Sequence, residues 1–189
     1  MTDNEIFYDA FSIKFARIEI KNWEYKKKQI LERIGELTNE GDPIASKEKE
    51  YKEYLETNFF MHLDDKDRMD VSNILKEELY DFSEESGCDV QVDGSWIERT
   101  HSGMNHNVHN HGALGYSAAC YVCYDPKVHT PTRFLAPFSH SIDGELIHHD
   151  PENVKEGTLI LFPSYLPHYT RPNLSTKERI VLSFNLECF

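Results

Sequence analysis

The sequence lacks the features that mark a membrane-bound or secreted protein. No apolar run approaches the length of about 20 residues that a transmembrane helix requires. The N-terminal stretch Met-Thr-Asp-Asn-Glu is acidic and lacks the basic and apolar regions of a signal peptide. We therefore expect a cytoplasmic protein with no membrane partner. The length of 189 residues suits a single domain spanning 1–189.

Cysteine is scarce, with four residues in the whole chain. Only Cys120 and Cys123 are close together, in a segment whose composition is typical of a strand. Residues three apart on a strand face opposite sides, so neither a zinc knuckle nor a redox pair is expected. Reduced thiols are the expected state in a cytoplasmic protein.

Positive charge is in deficit. The chain has 20 Lys and Arg residues against 33 Asp and Glu residues, which gives a formal net charge of -13. This balance opposes non-specific binding to a phosphate backbone, so nucleic acid is not expected as a partner. The totals leave the oligomeric state open, including a homodimer.

Histidine is concentrated late in the chain, where His109 and His111 are separated by one residue. Side chains alternate along a strand, so both can reach one metal ion from the same face. His168 is the best candidate for a third ligand, because it follows the apolar segment Thr158 to Phe162 after a Pro-flanked turn. The remaining histidines of this half are expected to be surface or hydrogen-bonding residues: His101, His106, His129, His140, His148 and His149.

The segment from Arg179 to Leu186 has the alternation of a strand. If its polar face lines a cavity, the Arg179 guanidinium and the Ser183 hydroxyl would together bind a carboxylate. If that face is in water, the segment is an ordinary surface strand. The polar face consists of Arg179, Val181, Ser183 and Asn185.

The chain changes character near Gly87. Before it, Asn22 is expected to cap a helix running to about Asn39, and Asp65 or Asp67 a second helix running to about Ser83. After it, short strands are expected at about 88–100, 109–112, 115–125, 128–138, 158–163 and 178–187. Helices followed by strands indicate an α+β, mainly β domain. Residues 1–87 would supply helical support and the first strands, and residues 88–189 the core.

Residues 139–157 form a long polar connection between two of these strands. Connections of this length in a compact domain tend to be functional. We expect a lid or substrate loop there.

Four motifs follow one another in the second half of the chain. They are Trp96; Asn105-x3-His109-x-His111 followed by Gly115-Tyr-Ser-x3-Tyr121-Val122; Gly157-x-Leu159-x-Leu161-Phe162-Pro163-Ser164-x2-Pro167-His168; and Arg179-x3-Ser183-Phe184-Asn185. In this order they resemble the 2-oxoglutarate- and Fe(II)-dependent dioxygenase superfamily. The resemblance is strongest to the bacterial and phage branch of prolyl-hydroxylase-like oxygenases, and it covers roughly residues 90–187.

The resemblance implies a double-stranded β-helix (jelly-roll) core that holds Fe(II) through His109, His111 and His168. It implies no catalytic residue beyond these metal ligands. The cosubstrates would be 2-oxoglutarate and O2, with succinate and CO2 released. The reaction would hydroxylate a C–H bond of an amino-acid side chain or small molecule, in a small-molecule or peptide substrate.

The resemblance also implies a binding site for 2-oxoglutarate. Arg179 would pair with the distal carboxylate, and Ser183 would be its hydrogen-bonding neighbour. Tyr121 and Asn105 complete the set of cofactor-binding residues that the resemblance suggests.

One departure from the superfamily's pattern concerns the metal site. The usual pattern is His-x-Asp/Glu with a distal His, but position 111 is His. No Asp or Glu lies between Arg99 and Asp125, so a shifted reading of the motif supplies no carboxylate. Either His111 completes an all-histidine triad, or it lies near the metal while water or an anion takes that position. A carboxylate could also come from a distant point such as Glu98 or Asp143.

Two other functions are compatible with the same residues. The first is a cupin-like metalloenzyme in which three histidines bind a transition metal without 2-oxoglutarate. The second is a non-catalytic jelly-roll binding module without a working metal site. We favour the oxygenase because it accounts for the histidines and Arg179 together.

Overall fold

The structure is a computed structural model that describes residues 12–39, 59–62 and 65–189. Its helices are α1 (Trp23–Asn39), α2 (Asp65–Ile74) and α3 (Lys76–Ser86). Its strands are β1 (Ala16–Glu19), β2 (Phe59–His62), β3 (Val90–Thr100), β4 (His106–His109), β5 (Tyr116–Cys123), β6 (Arg133–Ser139), β7 (Leu146–His149), β8 (Thr158–Pro163), β9 (His168–Thr170) and β10 (Arg179–Cys188).

The strands form two antiparallel sheets. The larger has the order β1-β8-β5-β10-β3-β2, and the smaller has the order β4-β9-β6-β7. Their facing sides enclose an apolar core with residues from both sheets, including Tyr121, Phe134 and Phe162. This is the double-stranded β-helix (jelly-roll) core that the resemblance implied, and the α+β, mainly β prediction is confirmed.

The helices pack on the opposite side of the six-stranded sheet, which we call its outer face. Strand alternation sends Ile180, Leu182 and Phe184 of β10 to this face, where they are buried. Helical periodicity brings the apolar stripes of α1 and α3 against them. The helix residues buried in this layer include Ile30, Ile34, Leu79 and Phe82.

The helix boundaries agree with the sequence, except for one break. The carbonyl of Asn22 accepts the N–H groups of Tyr25 and Lys26 at the start of α1. Gly87 ends α3 in the left-handed conformation, at φ 73°. The single helix predicted from residue 65 to about 83 is wrong, because the chain departs from helical geometry at Leu75 (φ -101°, ψ 19°). Leu75 is completely buried there.

Two strand predictions need correction, and the predicted connection contains a strand. The strand predicted at 109–112 is β4, which begins three residues earlier, at His106. The strand predicted at 128–138 starts at Arg133, because a turn closed by the bond from the His129 N–H to the Asp125 carbonyl precedes it. The 139–157 connection contains β7, whose four residues are exposed. Its role as a lid or substrate loop stays a prediction. Of the first strands expected within residues 1–87, the structure shows β1 and β2, and residues 1–11 of this region lie outside the described residues.

All four cysteines are free. The prediction that Cys120 and Cys123 face opposite sides is wrong. The register of β5 against β10 shifts between Ile180 and Val181, and both thiol-bearing residues pack on the outer-face cluster. Within the described ranges, none of the helices is long and apolar enough to cross a membrane.

Candidate metal centre and cosubstrate pocket

The three predicted histidines meet where the smaller sheet pairs β4 with β9. His109 lies opposite His168 in this pairing. His111 follows β4, and its N–H bonds to the Ser164 carbonyl at 2.9 Å, which draws it toward the same end of β9. One ligand atom from each of the three histidines lies within 4.8 Å of the others.

Backbone carbonyls orient two of the imidazoles. Nδ1 of His109 is 2.7 Å from the Asn107 carbonyl oxygen, and Nδ1 of His168 is 2.9 Å from that of Leu166. A carbonyl only accepts, so each Nδ1 donates its proton and each Nε2 keeps a lone pair for a metal. Nε2 of His111 is 3.2 Å from Nε2 of His168. Two nitrogens each about 2.1 Å from one ion at a right angle would be about 3 Å apart, so this pair fits a metal ion.

The protonation state of the site also fits a metal. Burial, followed by the neighbouring histidines, lowers the pKa of His111 to about 4. Burial lowers the pKa of His168 to about 3, against the opposing effect of its bond to Leu166. The pKa of His109 is lowered as well, mainly by burial. The imidazoles are therefore neutral at ordinary pH, as ligation requires.

His106 is a site residue that the sequence reasoning missed. Its ring stacks on that of His109, with centroids 4.0 Å apart. Strict alternation would put residues three apart on opposite faces, but the register of β4 against β9 shifts between His106 and His109. The sequence signal was the density of histidines in residues 106–111, which the period-two argument discounted.

Arg179 lies on the inner face of the six-stranded sheet and is 2% exposed. Its Nη1 donates to Glu98 Oε1 at 3.1 Å and its Nη2 donates to Thr132 Oγ1 at 3.3 Å. Its Nε is buried without a hydrogen-bond partner among the described residues. A buried unpaired N–H is costly, so the Nε–Nη2 side of the guanidinium fits a carboxylate from a ligand.

The other predicted cosubstrate residues differ in their burial and in their position relative to Arg179. Tyr121 is fully buried under the Arg179 guanidinium, 5.5 Å from ring centroid to Cζ, and its hydroxyl accepts the Thr132 N–H at 3.1 Å. Ser183 is buried on the same face of β10 as Arg179. Asn105 is half-buried immediately before β4.

Of the two distant carboxylates that the sequence suggested, only Glu98 is in the site. It is 6% exposed, and its Oε2 is 3.6 Å from Nδ1 of His106. Burial acts to raise the pKa of Glu98, but the bond with His106 and the charge of Arg179 outweigh burial and hold the pKa at about 2. Asp143 instead contacts His140 in an exposed turn of the β6–β7 connection.

Comparison with known proteins agrees with this geometry. A family model described as "Putative 2OG-Fe(II) oxygenase" matches residues 94–185, which include the three histidines, Glu98 and Arg179. A search of the curated proteins finds no relative of this chain.

Solved structures share the fold at low sequence identity. A prolyl-4-hydroxylase from Pseudomonas putida superposes with a TM-score of 0.60 at 16% identity, covering 93% of this chain and 94% of its own. The viral collagen prolyl hydroxylase of Paramecium Bursaria Chlorella virus-1, in its 2-oxoglutarate complex, gives 0.58 at 12%, covering 91% and 94%. The carbocyclase SnoK from nogalamycin biosynthesis gives 0.63 at 11%, covering 92% and 80%.

The family match covers the strands that carry the candidate site, and the jelly-roll core is the fold of the structural neighbours. The cofactors of the family are Fe(II), 2-oxoglutarate and O2. The chain therefore belongs, through residues 94–185, to the 2-oxoglutarate- and Fe(II)-dependent oxygenases, and it is an enzyme of that class.

Proposed function

We propose that His109, His111 and His168 bind the Fe(II) of this oxygenase and that Arg179 binds the distal carboxylate of 2-oxoglutarate. The observation that carries the proposal is the convergence of three neutral imidazoles, with ligand atoms within 4.8 Å of one another. Across the same core lies a buried arginine with an unpaired Nε–H. When bound, Fe(II) and 2-oxoglutarate would supply the electrons that activate O2, which is the oxidant for the C–H bond.

The protein's own residues orient the groups and exclude water. The carbonyls of Asn107 and Leu166 fix the ring orientation of two ligands before metal binding. Phe134 and Phe162 pack against His168, with ring centroids 5.7 and 4.8 Å away. These aromatic rings keep one side of the site dry, which strengthens the electrostatic interactions inside it.

Thr132 holds the cosubstrate-binding side chains together. Its hydroxyl accepts from Arg179, and its N–H donates to the Tyr121 hydroxyl. The phenolic hydrogen of Tyr121 is not needed for that bond and can be donated to a carboxylate. Ser183, on the same strand face as Arg179, would be a further hydrogen-bonding group for the cosubstrate.

The reaction we propose is hydroxylation of a C–H bond in an amino-acid side chain or small molecule, with release of succinate and CO2. The half-buried His109 and His111 lie on the more open side of the site. The Trp96 ring, 4.9 Å from that of His111, would contact the substrate or guide its entry there. Two fold neighbours are prolyl hydroxylases by name, so proline-containing peptides are the first substrates to test.

The experiment is an anaerobic titration of apo-protein with Fe(II) and then with 2-oxoglutarate. Saturable 1:1 iron binding, followed by a visible absorption band on addition of 2-oxoglutarate, is the expected result. In Arg179→Ala, the 2-oxoglutarate concentration that gives the half-maximal band should rise at least about tenfold, because the substitution removes a charge-assisted bidentate contact. Arg133→Ala is the matched control, because Arg133 is paired with Asp150 at 2.7 and 2.6 Å outside the proposed site.

Two outcomes would contradict the proposal. Iron binding without any band would favour a three-histidine metalloenzyme that does not use 2-oxoglutarate. If the Arg179 and Arg133 substitutions changed the affinity for 2-oxoglutarate equally, Arg179 would not be part of the cosubstrate site.

A further inference from the structure

Glu98 is a buried carboxylate that the proposed roles of the histidines and Arg179 do not use. Alternation along β3 places it on the inner face of the six-stranded sheet, opposite Val181 of β10. Its Oε1 accepts from Arg179 Nη1 at 3.1 Å, and the hydroxyls of Thr100 and Thr170 lie 3.5 and 3.4 Å from the same oxygen. Burying a carboxylate is costly unless it is paired, so this position needs a reason.

Glu98 and a cosubstrate carboxylate can bind the same guanidinium on different sides. Glu98 takes Nη1 of Arg179, while the unpaired Nε and the Nη2 group lie on the other edge. Thr132 takes one of the two Nη2 hydrogens, so Glu98 still leaves the Nε–H and one Nη2 hydrogen of Arg179 for a ligand carboxylate. Glu98 does reduce the positive charge that the fork presents to an anion.

The formal charges of the site explain why such a reduction is useful. In the usual site with two histidines and one carboxylate, the formal charges of the ligand carboxylate, Fe(II), the arginine and the 2-oxoglutarate dianion sum to zero. Three neutral histidines leave that sum one unit too positive in a buried site, where unbalanced charge is expensive. One further carboxylate restores the balance, and Glu98 is the buried carboxylate that contacts Arg179.

Contacts link Glu98 to the metal ligands without making it one of them. His106 lies between them, 3.6 Å from Glu98 and stacked on His109 with ring centroids 4.0 Å apart. The group of side chains in the described chain that converge tightly enough for a metal consists of His109, His111 and His168, without Glu98.

We propose that Glu98 supplies, from outside the iron coordination shell, the negative charge that a ligand carboxylate supplies in the usual site. The inference rests on the proposed iron and 2-oxoglutarate sites and assigns a positioning role to a residue outside them. The charge acts in opposite directions on the two partners, because it attracts Fe(II) and repels the 2-oxoglutarate dianion.

The test is Glu98→Gln, which keeps the shape of the side chain and its ability to accept from Arg179. Binding of Co(II) as a probe of the Fe(II) site, and of 2-oxoglutarate to the metal-loaded protein, would be measured by calorimetry. We expect metal binding to weaken about tenfold or more and 2-oxoglutarate binding to tighten severalfold. A structural role would lower both affinities together or change neither, and either result would overturn the inference.

Glu78→Gln is the matched control, since Glu78 is also a fully buried carboxylate with a cationic partner, Lys26 at 2.8 Å. It lies among the helices, so its substitution should leave both affinities unchanged. The double substitution Glu98→Gln/His111→Asp returns one carboxylate to the ligand set and should recover metal affinity. If Glu98→Gln alone does not fold, His111→Asp in the protein that keeps Glu98 tests the same charge balance. It adds a second carboxylate to the site, so 2-oxoglutarate binding should weaken severalfold, and an unchanged affinity would contradict the inference. Absence of metal binding in the unmodified protein would refute the proposed function itself, and the inference with it.

Discussion

The six-stranded sheet separates two buried carboxylates whose surroundings differ. Glu78 contacts Lys26 through both oxygens, at 3.0 and 2.8 Å, and also accepts the Lys21 N–H at 2.9 Å. Glu98 shares Arg179 with Thr132 and leaves the Arg179 Nε unpaired. The pair among the helices has its bonds complete, whereas the pair inside the jelly roll retains an unused donor. We infer that the first arrangement supports folding and that the second leaves a donor for the proposed cosubstrate.

The largest effect on stability is expected at the pair of Glu78 and Lys26, which we call the outer pair. Lys26→Ala leaves Glu78 as an uncompensated buried charge, and removing one partner of a buried pair costs about 3–5 kcal/mol of unfolding free energy. Metal affinity of the folded fraction should not change. Chemical denaturation with and without metal measures both quantities.

The control for that prediction is Lys21→Ala. Its pair with Asp81 is 2.8 Å long but about half exposed. An exposed pair of this kind contributes little to the free energy of unfolding, because water and salt screen it. If Lys21→Ala lowered the free energy of unfolding as much as Lys26→Ala does, burial would not be the reason that the outer pair is important for stability.

Substitution of a proposed metal ligand inside the jelly roll should change metal affinity more than the free energy of unfolding. His168→Ala removes one of three ligands, and we expect metal affinity to fall about 100-fold, or about 2.7 kcal/mol. The apo-protein should fold as before, because His168 is buried as a neutral imidazole without a charged partner. Calorimetry with Co(II) measures the affinity, and the exposed His148→Ala is the matched control. Equal losses from both substitutions would place the metal elsewhere.

The last prediction concerns how the free energy of unfolding of the apo-protein depends on pH. An unfolded histidine takes up a proton below its ordinary pKa of about 6.5, whereas folded His168 and His111 do so only at about 3 and 4. Stability from these groups is therefore present above pH 6.5 and falls as the pH drops toward 4.5. The expected slope for the buried His168 is about 1 kcal/mol per pH unit.

Denaturation curves between pH 7 and pH 4.5 measure this dependence above the titration range of ordinary carboxylates. His168→Gln should flatten the curve, while His148→Gln should not. A curve unaffected by His168→Gln would contradict the burial of a neutral imidazole at this position.

Much of the site could be predicted from the sequence, because it depends on strand periodicity and motif order. Alternation was sufficient to put Arg179 and Ser183 on one face of β10, and the order of the motifs brought His109, His111 and His168 together. The jelly-roll core was likewise expected from the resemblance to the oxygenase superfamily. The confirmed fold and family follow from these features.

Other features depend on register and on packing between distant segments. The register shift in β4 brings His106 onto His109, and the shift between β5 and β10 moves Cys123 to the outer face. The contact of Glu98 with Arg179 joins residues 81 positions apart. Glu98 was recognised only as one of two distant carboxylates, because no local pattern reports which of them lies in the core.

The central claim is that three histidines bind the metal while Glu98 remains outside its coordination shell. A crystal structure of the anaerobic protein with Mn(II) and 2-oxoglutarate, with anomalous scattering used to locate the metal, tests this directly. The account predicts one anomalous peak about 2.2 Å from nitrogens of His109, His111 and His168, with Glu98 still paired to Arg179. A peak coordinated by the Glu98 carboxylate, or one that lacks His111, would contradict it.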